Sequence, residues 1–587
     1  MRTSISRRDF LILTAKGVGA AVISSGLMGC NSSDGDRDVG VSFNHGVASG
    51  DPTQTAIILW TRITPEETAA INVAWEIATD AAFTNIVNSG NTLTNQARDY
   101  TVKVDAINLT PGTQYFYRFI ANGETTTTGK TKTLPEGAIT SAKLAVMSCA
   151  NYPAGHFNVY KLASQMDDLD AVLHLGDYIY EYPRGGYASD AAAQLNREVL
   201  PTGELFTLDD YRTRYGQYRT DVDLQALHGG VPFITVWDDH EVCNDTYKDG
   251  AENHNDGEGN FETRKLAALQ AYFEWLPIRP IAQDNELEIY RSFQFGDLVD
   301  LHMLDTRVLA RDKQLDYANY ISPSTGAFDA DTFAQDISDA NRTMLGSEQL
   351  QWLQTQLGNS TSTWQLLSQQ VLMGSMYLPA AVALTLMTLE QYSELGALAV
   401  LAGRMQAGDP SLTDAEKAYL AANQNKLTDE VMAQLQLPAV PYNLDAWDGY
   451  AVERETILQT AKAYAKNLVV LAGDTHNAWA SDLKDANGDN VGVEFATSSV
   501  SSPGLEYYLN IPAASAPTYE AGIVGLIENL KYCNLRDRGF MTVTFSADQA
   551  NAQWHYVDTI LSTSFQEVTS RGATALVKTG ENRLTVS

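Results

Sequence analysis

Four short apolar runs in this 587-residue chain each stop at residues that could bind a metal or work on a phosphate. Ala171–Leu175 runs into Gly176-Asp177, with Tyr180 three residues further on. Lys143–Met147 runs into Ser148-Cys149, Pro232–Trp237 into Asp238-Asp239-His240-Glu241, and Asn467–Leu471 into Gly473-Asp474-Thr475-His476. Short β-prone runs that stop at glycine or a carboxylate read as buried strands. In open α/β folds, ligands gather at the carboxyl ends of such strands. One such ending means little, but four in one chain predict a shared site.

The residue types say what that site could do. A cysteine thiolate, a neutral imidazole and a tyrosine phenolate beside a carboxylate (Cys149, His476, Tyr180 and Asp177) are together suited to Fe³⁺. Asp177, Asp239 and Asp474 offer only oxygen, which suits a hard divalent ion such as Ca²⁺. Asp177 is central in the string of motifs and is the expected bridge between two metals. Such a pair clamps a phosphoryl group, lowers the pKa of bound water and steadies the leaving oxygen. Arginines could clamp the developing oxyanion; Arg184, Arg197 and Arg307 are candidates.

Each of these residues also has an ordinary reading. A single cysteine at a strand end is most often a core residue, which is the reading kept for Cys243. Tyr178 and Tyr182 are expected to pack, Asp238 could cap the turn that follows it, and His156, His174 and His228 read as structural or surface residues. Cys243 and Cys533 could pair. Four cysteines in so long a chain make no disulfide framework.

The positioning elements follow from composition and period. Residues 43–137 read as a small all-β sandwich, with short strands between turn signals such as Pro111-Gly112 and Asn122-Gly123, and with Gly46–Pro52 as a structured turn. Residues 138–561 alternate strands with helices. Leu208–His228 reads as one helical stretch, and an Ala- and Leu-rich helical insert spans about 376–440. Residues 562–587 read as a polar tail. The fold class expected is α/β behind a small all-β domain.

The first thirty residues read as an address. Ser6-Arg7-Arg8-Asp9-Phe10-Leu11 matches a twin-arginine export signal, and the apolar stretch after it is too short and broken to span a membrane. It ends at Leu27-Met28-Gly29-Cys30, where Cys30 reads as a lipidation site and an ordinary cleavage site is the alternative. Residues 31–42 read as a linker. The formal net charge of −32 argues against stable nucleic-acid binding and against anionic membranes. The expected address is periplasmic or cell-surface.

The motifs together resemble the PhoD family of alkaline phosphatases, within the calcineurin-like metallophosphoesterases. The resemblance is carried by Ser148-Cys149, Leu175–Tyr182, Trp237–Glu241, Asp448-Gly449-Tyr450 and Gly473–His476. Tyr211–Tyr215, Ala271–Trp275, Asp305-Thr306-Arg307, Gly46–Pro52 and the twin-arginine signal support it. The Gly-Asp-x-x-Tyr spacing is also similar to that of purple acid phosphatases.

The resemblance implies a metallophosphoesterase β-sandwich flanked by helices, behind a fibronectin-like domain. It implies an exported phosphatase and phosphodiesterase for phosphate acquisition, acting on phosphate mono- and diesters. Iron would be held by Cys149, Asp177, Tyr180 and His476, and calcium by Asp177, Asp239 and Asp474. Asp238 or Asn151 would serve a second calcium. His240 would contact the phosphate and assist the leaving group, and a metal-activated hydroxide would attack in line. Two departures stand out: Asp239 replaces an asparagine of the wider superfamily pattern, and the span from Met373 to Asp448 is long. Two competing readings are a phospholipase D-like diesterase on the same fold and a surface-binding lipoprotein whose metal site is degenerate.

Overall fold

The computed structural model describes residues 39–280 and 288–587. The export signal, Cys30 and most of the expected linker lie outside the described residues. Two large sheets form the centre. The first has ten strands, in the order Thr585–Val586, Thr574–Lys578, Gln549–Tyr556, Gly539–Phe545, Ala142–Met147, Ala171–His174, Phe233–Thr235, Val47–Gly50, Ile57–Arg62 and Thr101–Ala106. The second has seven, in the order Arg291–Phe295, Val299–Met303, Trp364–Ser368, Asn467–Ala472, Asn490–Ala496, Ala478–Lys484 and Leu530–Asn534.

The sheets pack on each other through one apolar core. Leu144, Leu173 and Ile234 of the first meet Leu301, Leu366 and Val469 of the second, and the rings of Trp364 and Phe545 lie 6.0 Å apart across the seam. The central strands of both sheets are parallel and covered on both faces. Their sequences are therefore unbroken apolar runs rather than alternating ones, and this made them legible.

Register places the chemistry. In the first sheet Met147 pairs with His174 and His174 with Thr235. In the second, Met303 pairs with Ser368 and Ser368 with Leu471. Strands that end level deliver their following loops to one edge. An isolated parallel bridge, Ser148 to Ser499, joins the sheets beside that edge.

The amino-terminal region is less separate than a free-standing domain. A five-stranded sheet led by Ile71–Ala78 and Gln114–Ala121 packs on Ile57–Arg62 and Thr101–Ala106, which already belong to the ten-stranded sheet. Val47–Gly50, expected as a turn, is the strand that joins the two: it runs parallel to Phe233–Thr235 and antiparallel to Ile57–Arg62. A Cβ on Gly50 would lie 2.6 Å from the Phe233 carbonyl, so glycine is what lets these strands meet. Asp51 then accepts hydrogen bonds from Arg291 and from the Arg279 amide.

Two other expectations change, and the open pairing of Cys243 with Cys533 is not formed. Leu208–His228 is two helices, Leu208–Tyr218 and Val222–Gly230. Asp221 breaks them by capping the second through the amides of Asp223 and Leu224. The polar tail is not loose, because Thr574–Lys578 pairs with Gln549–Tyr556 and widens the first sheet. Cys243 and Cys533 are free, buried thiols.

The insert enters and leaves at one point. Tyr377–Pro379 pairs antiparallel with Ala439–Pro441, and the helices between include Leu389–Gln406 and Asp414–Asn423. Among the described residues no helix is long and apolar enough to cross a membrane.

Candidate metal centre

Each loop after a central strand turns sharply. Cys149, Asp177, Asp474 and His476 all take left-handed backbone angles, with φ of 62°, 53°, 60° and 62°. Non-glycine residues rarely adopt this region, and it concentrates at sites that must aim a side chain. Two glycines make the crowding possible. A Cβ on Gly176, itself at φ 104°, would lie 2.4 Å from the Asp238 amide nitrogen, and one on Gly473 would lie 2.6 Å from Ser148 Oγ.

The loops are then tied to one another. The Cys149 and Ala150 amides donate to the Gly176 and Asp177 carbonyls at 3.2 and 2.8 Å, and the Ser501 and Ser502 amides donate to the Cys149 carbonyl at 3.3 Å. The buried Glu241 carboxylate accepts from the amides of Asp177, Tyr178 and Asp238. It thereby ties the Asp177 loop to its own loop, Asp238–Glu241.

Three groups of side chains result, in which the donor atoms lie within 4.8 Å of one another: Cys149, Asp177 and His476; Asp177, Asp239 and His240; Asp238, Asp239 and Asp474. Asp177 is shared by two of the groups. Tyr180 joins the first, because its hydroxyl donates to Asp177 Oδ2 at 2.9 Å and lies 3.2 Å from His476 Nε2. His476 Nδ1 donates to the Pro503 carbonyl at 2.7 Å, which leaves Nε2 with a lone pair facing the centre.

His240 is placed by Glu181. Nδ1 lies 2.7 Å from Glu181 Oε2, and the other carboxylate oxygen accepts from the Asn244 amide and the Asn253 side chain. Burial alone would lower the His240 pKa, but Asp239, Glu181 and Asp177 raise it well above the usual value. The same histidine, with hydrogen bonds from Asn253 and the Asn244 amide, lowers that of Glu181 against its burial.

Burial and then Asp177 push the Cys149 thiol and the Tyr180 phenol well above their usual values. Both donors therefore keep their protons until a cation displaces them. Asp239 goes the other way: burial opposes ionisation, yet Arg307 and then His240 bring it down to about 2. Burial, with Asp445, Asp239 and Asp177, raises Asp474 beyond what Arg307 offsets.

Arg307 sits inside the centre rather than at its mouth. Its side chain is wholly buried; Nε bonds Asp238, Nη1 reaches Asp445 at 2.7 Å and Nη2 reaches Asp474 at 2.7 Å. A guanidinium buried among Asp238, Asp445 and Asp474 is a counter-charge for carboxylates, with each of its three nitrogens held by one of them. Arg197 is spent on Asp221 at 2.7 Å and on the Tyr152 ring, and Arg184 meets Glu198 at 3.5 Å. Asn151 is buried, and its side-chain amide donates to the Tyr187 carbonyl at 3.3 Å.

Several supporting residues had no role in the sequence reading. Glu181 and Glu241 stood inside quoted motifs, where their positions beside Tyr180 and His240 were the available signal. Ser502, which donates to the Tyr180 hydroxyl at 2.6 Å, lies in Ser501-Ser502-Pro503-Gly504, a run with no metal-type residue to draw notice.

Comparison with known proteins fits this geometry. The PhoD-like phosphatase family matches residues 144–554, and the PhoD-like phosphatase N-terminal domain matches residues 29–135. The chain belongs to the PhoD-like phosphatase family. It is a phosphoric ester hydrolase, which removes the reading as a binding lipoprotein. Alkaline phosphatase D of Bacillus subtilis (strain 168) is 33% identical over 478 residues, which cover 79% of this chain and 70% of that protein. A solved structure of PhoD superposes with a TM-score of 0.71 at 29% identity, and covers 94% of this chain and 93% of that one.

Proposed function

We propose that the protein is an alkaline phosphatase and phosphodiesterase of the PhoD type, exported by the twin-arginine pathway to release phosphate outside the cytoplasm. Its metals are Fe³⁺ and Ca²⁺. The observation that carries this reading is the division of donors around Asp177. On one side stand thiol, phenol and imidazole; on the other stands Asp239, which adjoins His240 and belongs with Asp238 and Asp474 to an all-carboxylate group. The first set is suited to ferric iron and the second to calcium. The residues fit such ions in a further respect. Asp177 Oδ1 and Asp238 Oδ2 are buried without hydrogen-bond partners, and a bound cation would satisfy both.

Cys149, Asp177, Tyr180 and His476 would hold the iron; Asp177, Asp239 and Asp474 would hold calcium, with Asp238 beside them. When bound, the metals supply Lewis acidity to the phosphoryl group and to the attacking water. The chain does the rest. His240 is kept protonated by its carboxylates and is held at Nδ1 by Glu181, so Nε2 carries a proton toward the leaving oxygen. Asp177 fixes the spacing between the two halves. The narrow edge of the centre admits the ester while excluding bulk water: Asp177, Asp238 and Asp239 side chains are at most 5% exposed, whereas His476 and Asp474 keep 11% and 16%.

The deciding experiment is metal analysis of aerobically purified protein with its visible spectrum, followed by ester hydrolysis with and without added calcium. Bound iron, a tyrosinate charge-transfer band and activity that rises with calcium are expected. A colourless protein that is active with zinc or manganese alone overturns the iron assignment of Cys149 and Tyr180.

A further inference from the structure

The exposed edge of the centre is aromatic. Tyr187 lies 5.7 Å from Tyr180 in a stacked arrangement, and its hydroxyl is 3.3 Å from His476 Nδ1. The Tyr508 hydroxyl donates to the Tyr187 hydroxyl at 3.0 Å, so a chain of contacts runs from His476 outward to Tyr508. Tyr182 lies 5.5 Å from Tyr187 and 5.4 Å from His240. The outermost ring is not buried: Tyr508 is 55% exposed, and Tyr507 packs edge-on against it at 5.6 Å.

This ring is held rather than hanging free. Tyr507 and Tyr508 close the short helix Leu505–Tyr508. The Leu505 amide donates to Asn477 Oδ1 at 3.2 Å, next to His476, and Glu506 pairs with Arg538 at 2.5 Å. Single exposed apolar residues need no explanation. A ring anchored at its hydroxyl to a direct neighbour of a candidate metal ligand, with its face open, is a different case. Tyrosine offers a large rigid face at little entropic cost.

We infer that Tyr508, positioned by Tyr187, is a stacking platform for the leaving group, and that the enzyme favours phosphate esters whose leaving alcohol carries a flat, uncharged ring. This rests on the phosphoesterase reading above. Charge supports the uncharged part: Tyr507, Tyr508 and Leu509 bring none, and a chain of net charge −32 repels a leaving group that carries further phosphates. An aryl alcohol and a nucleoside share this chemistry.

The test compares methyl naphthyl phosphate, methyl thymidin-5′-yl phosphate and methyl hexyl phosphate on the metal-loaded enzyme, each read as kcat/KM or, where turnover is too slow, as an inhibition constant. Tyr508→Ala is expected to lower the ring-ester to hexyl-ester ratio by about 5- to 10-fold, the scale of one aromatic contact, chiefly through KM. Tyr508→Phe and Tyr187→Phe both keep the Tyr508 face and both break the hydroxyl-to-hydroxyl bond that positions it, so each is expected to give a smaller fall in the same direction. A fall for naphthyl alone assigns the platform to aryl esters, and a fall for both ring esters extends it to nucleosides. An unchanged ratio, with all three substrates equally impaired, overturns the inference and leaves Tyr508 a structural role. Calorimetric binding of naphthyl phosphonate against hexyl phosphonate separates the two claims. If the wild type hydrolyses no ester, the phosphoesterase reading falls, while a naphthyl preference lost in Tyr508→Ala still upholds the platform and equal binding still defeats it.

Discussion

The two halves of the centre are both dense with acids, yet they are brought to tolerable charge by different means. Around Cys149 and Tyr180 the buried Arg214 bonds the Tyr180 and Tyr182 backbone carbonyls and not the donor atoms; burial and Asp177 keep the thiol and phenol protonated, and His476 is turned to present a lone pair. Around Asp238, Asp239 and Asp474 the chain supplies a permanent cation, Arg307, which spans all three sides of the carboxylate group. One half therefore waits with protons that a metal must displace, and the other waits with a counter-ion already in place. The first should discriminate strongly by metal charge and by pH; the second should stay folded with its metal absent.

The largest effect should come from the residue that belongs to both halves. Asp177→Asn removes one negative charge from two donor groups at once and turns a shared oxygen into an amide. Turnover should fall by more than the ~10²-fold that follows loss of a metal's outer-shell partner, and iron and calcium content should drop together. If metal analysis shows only one metal lost, the halves are independent and Asp177 does not bridge them.

Next is Arg307→Met, which tests the carboxylate half alone. Taking away one partner of a buried ion network leaves uncompensated charge and costs about 3–5 kcal/mol. The metal-free variant should melt well below the metal-free wild type. Added calcium should narrow the gap, because a divalent ion restores the charge that the guanidinium supplied. Equal calcium responses in both proteins would show that Arg307 and the ion do not serve the same carboxylates.

The third prediction sets the halves against each other by pH. The Cys149 and Tyr180 pKa values are both raised, so below those values iron loading must displace up to two protons. Affinity then rises with pH, by up to about tenfold per unit for each proton released. Calcium loading should level off at lower pH, since Asp239 is already ionised, at about 2, and the raised groups on that side, Asp238 and Asp474, are carboxyls whose ordinary values lie far below those of a thiol or a phenol. Metal titrations between pH 6 and 9 give both slopes, and Cys149→Ser should flatten the iron slope alone.

These contrasts bear on what the sequence could reveal. Cys149, Asp177, Asp239, His240, Asp474 and His476 were legible because each follows an apolar run that is itself readable, and level register in parallel strands then brings them together. Arg307 was visible as a residue but not as a role. A buried cation is recognised by its partners, and Asp445 and Asp474 lie 138 and 167 residues away in the chain. The join between the amino-terminal strands and the catalytic sheet was hidden for a similar reason. Val47–Gly50 is too short and too glycine-rich to read as a strand until Phe233–Thr235 stands beside it. The tail was misread because Thr574–Lys578 is a short strand with only one buried face, recognisable once Gln549–Tyr556 and Thr585–Val586 stand on either side of it.

The smallest expected effect is the most specific to the proton-holding half. Ser502 Oγ donates to the Tyr180 hydroxyl, and the same oxygen donates to Asp177 Oδ2. The serine hydrogen bond favours the ionised phenol, so it is part of what lets a cation take the place of the proton. Ser502→Ala should remove a hydrogen bond worth about 1 kcal/mol, weaken iron binding several-fold and shift the phenolate charge-transfer band, while calcium binding stays as it was. Because the Ser502 hydroxyl, unlike its amide, reaches the centre through Tyr180, a change in calcium affinity with no change in the band would mean that the serine holds the loop and not the phenol. That result would erase the distinction between the halves at the one position where it depends on a single hydroxyl.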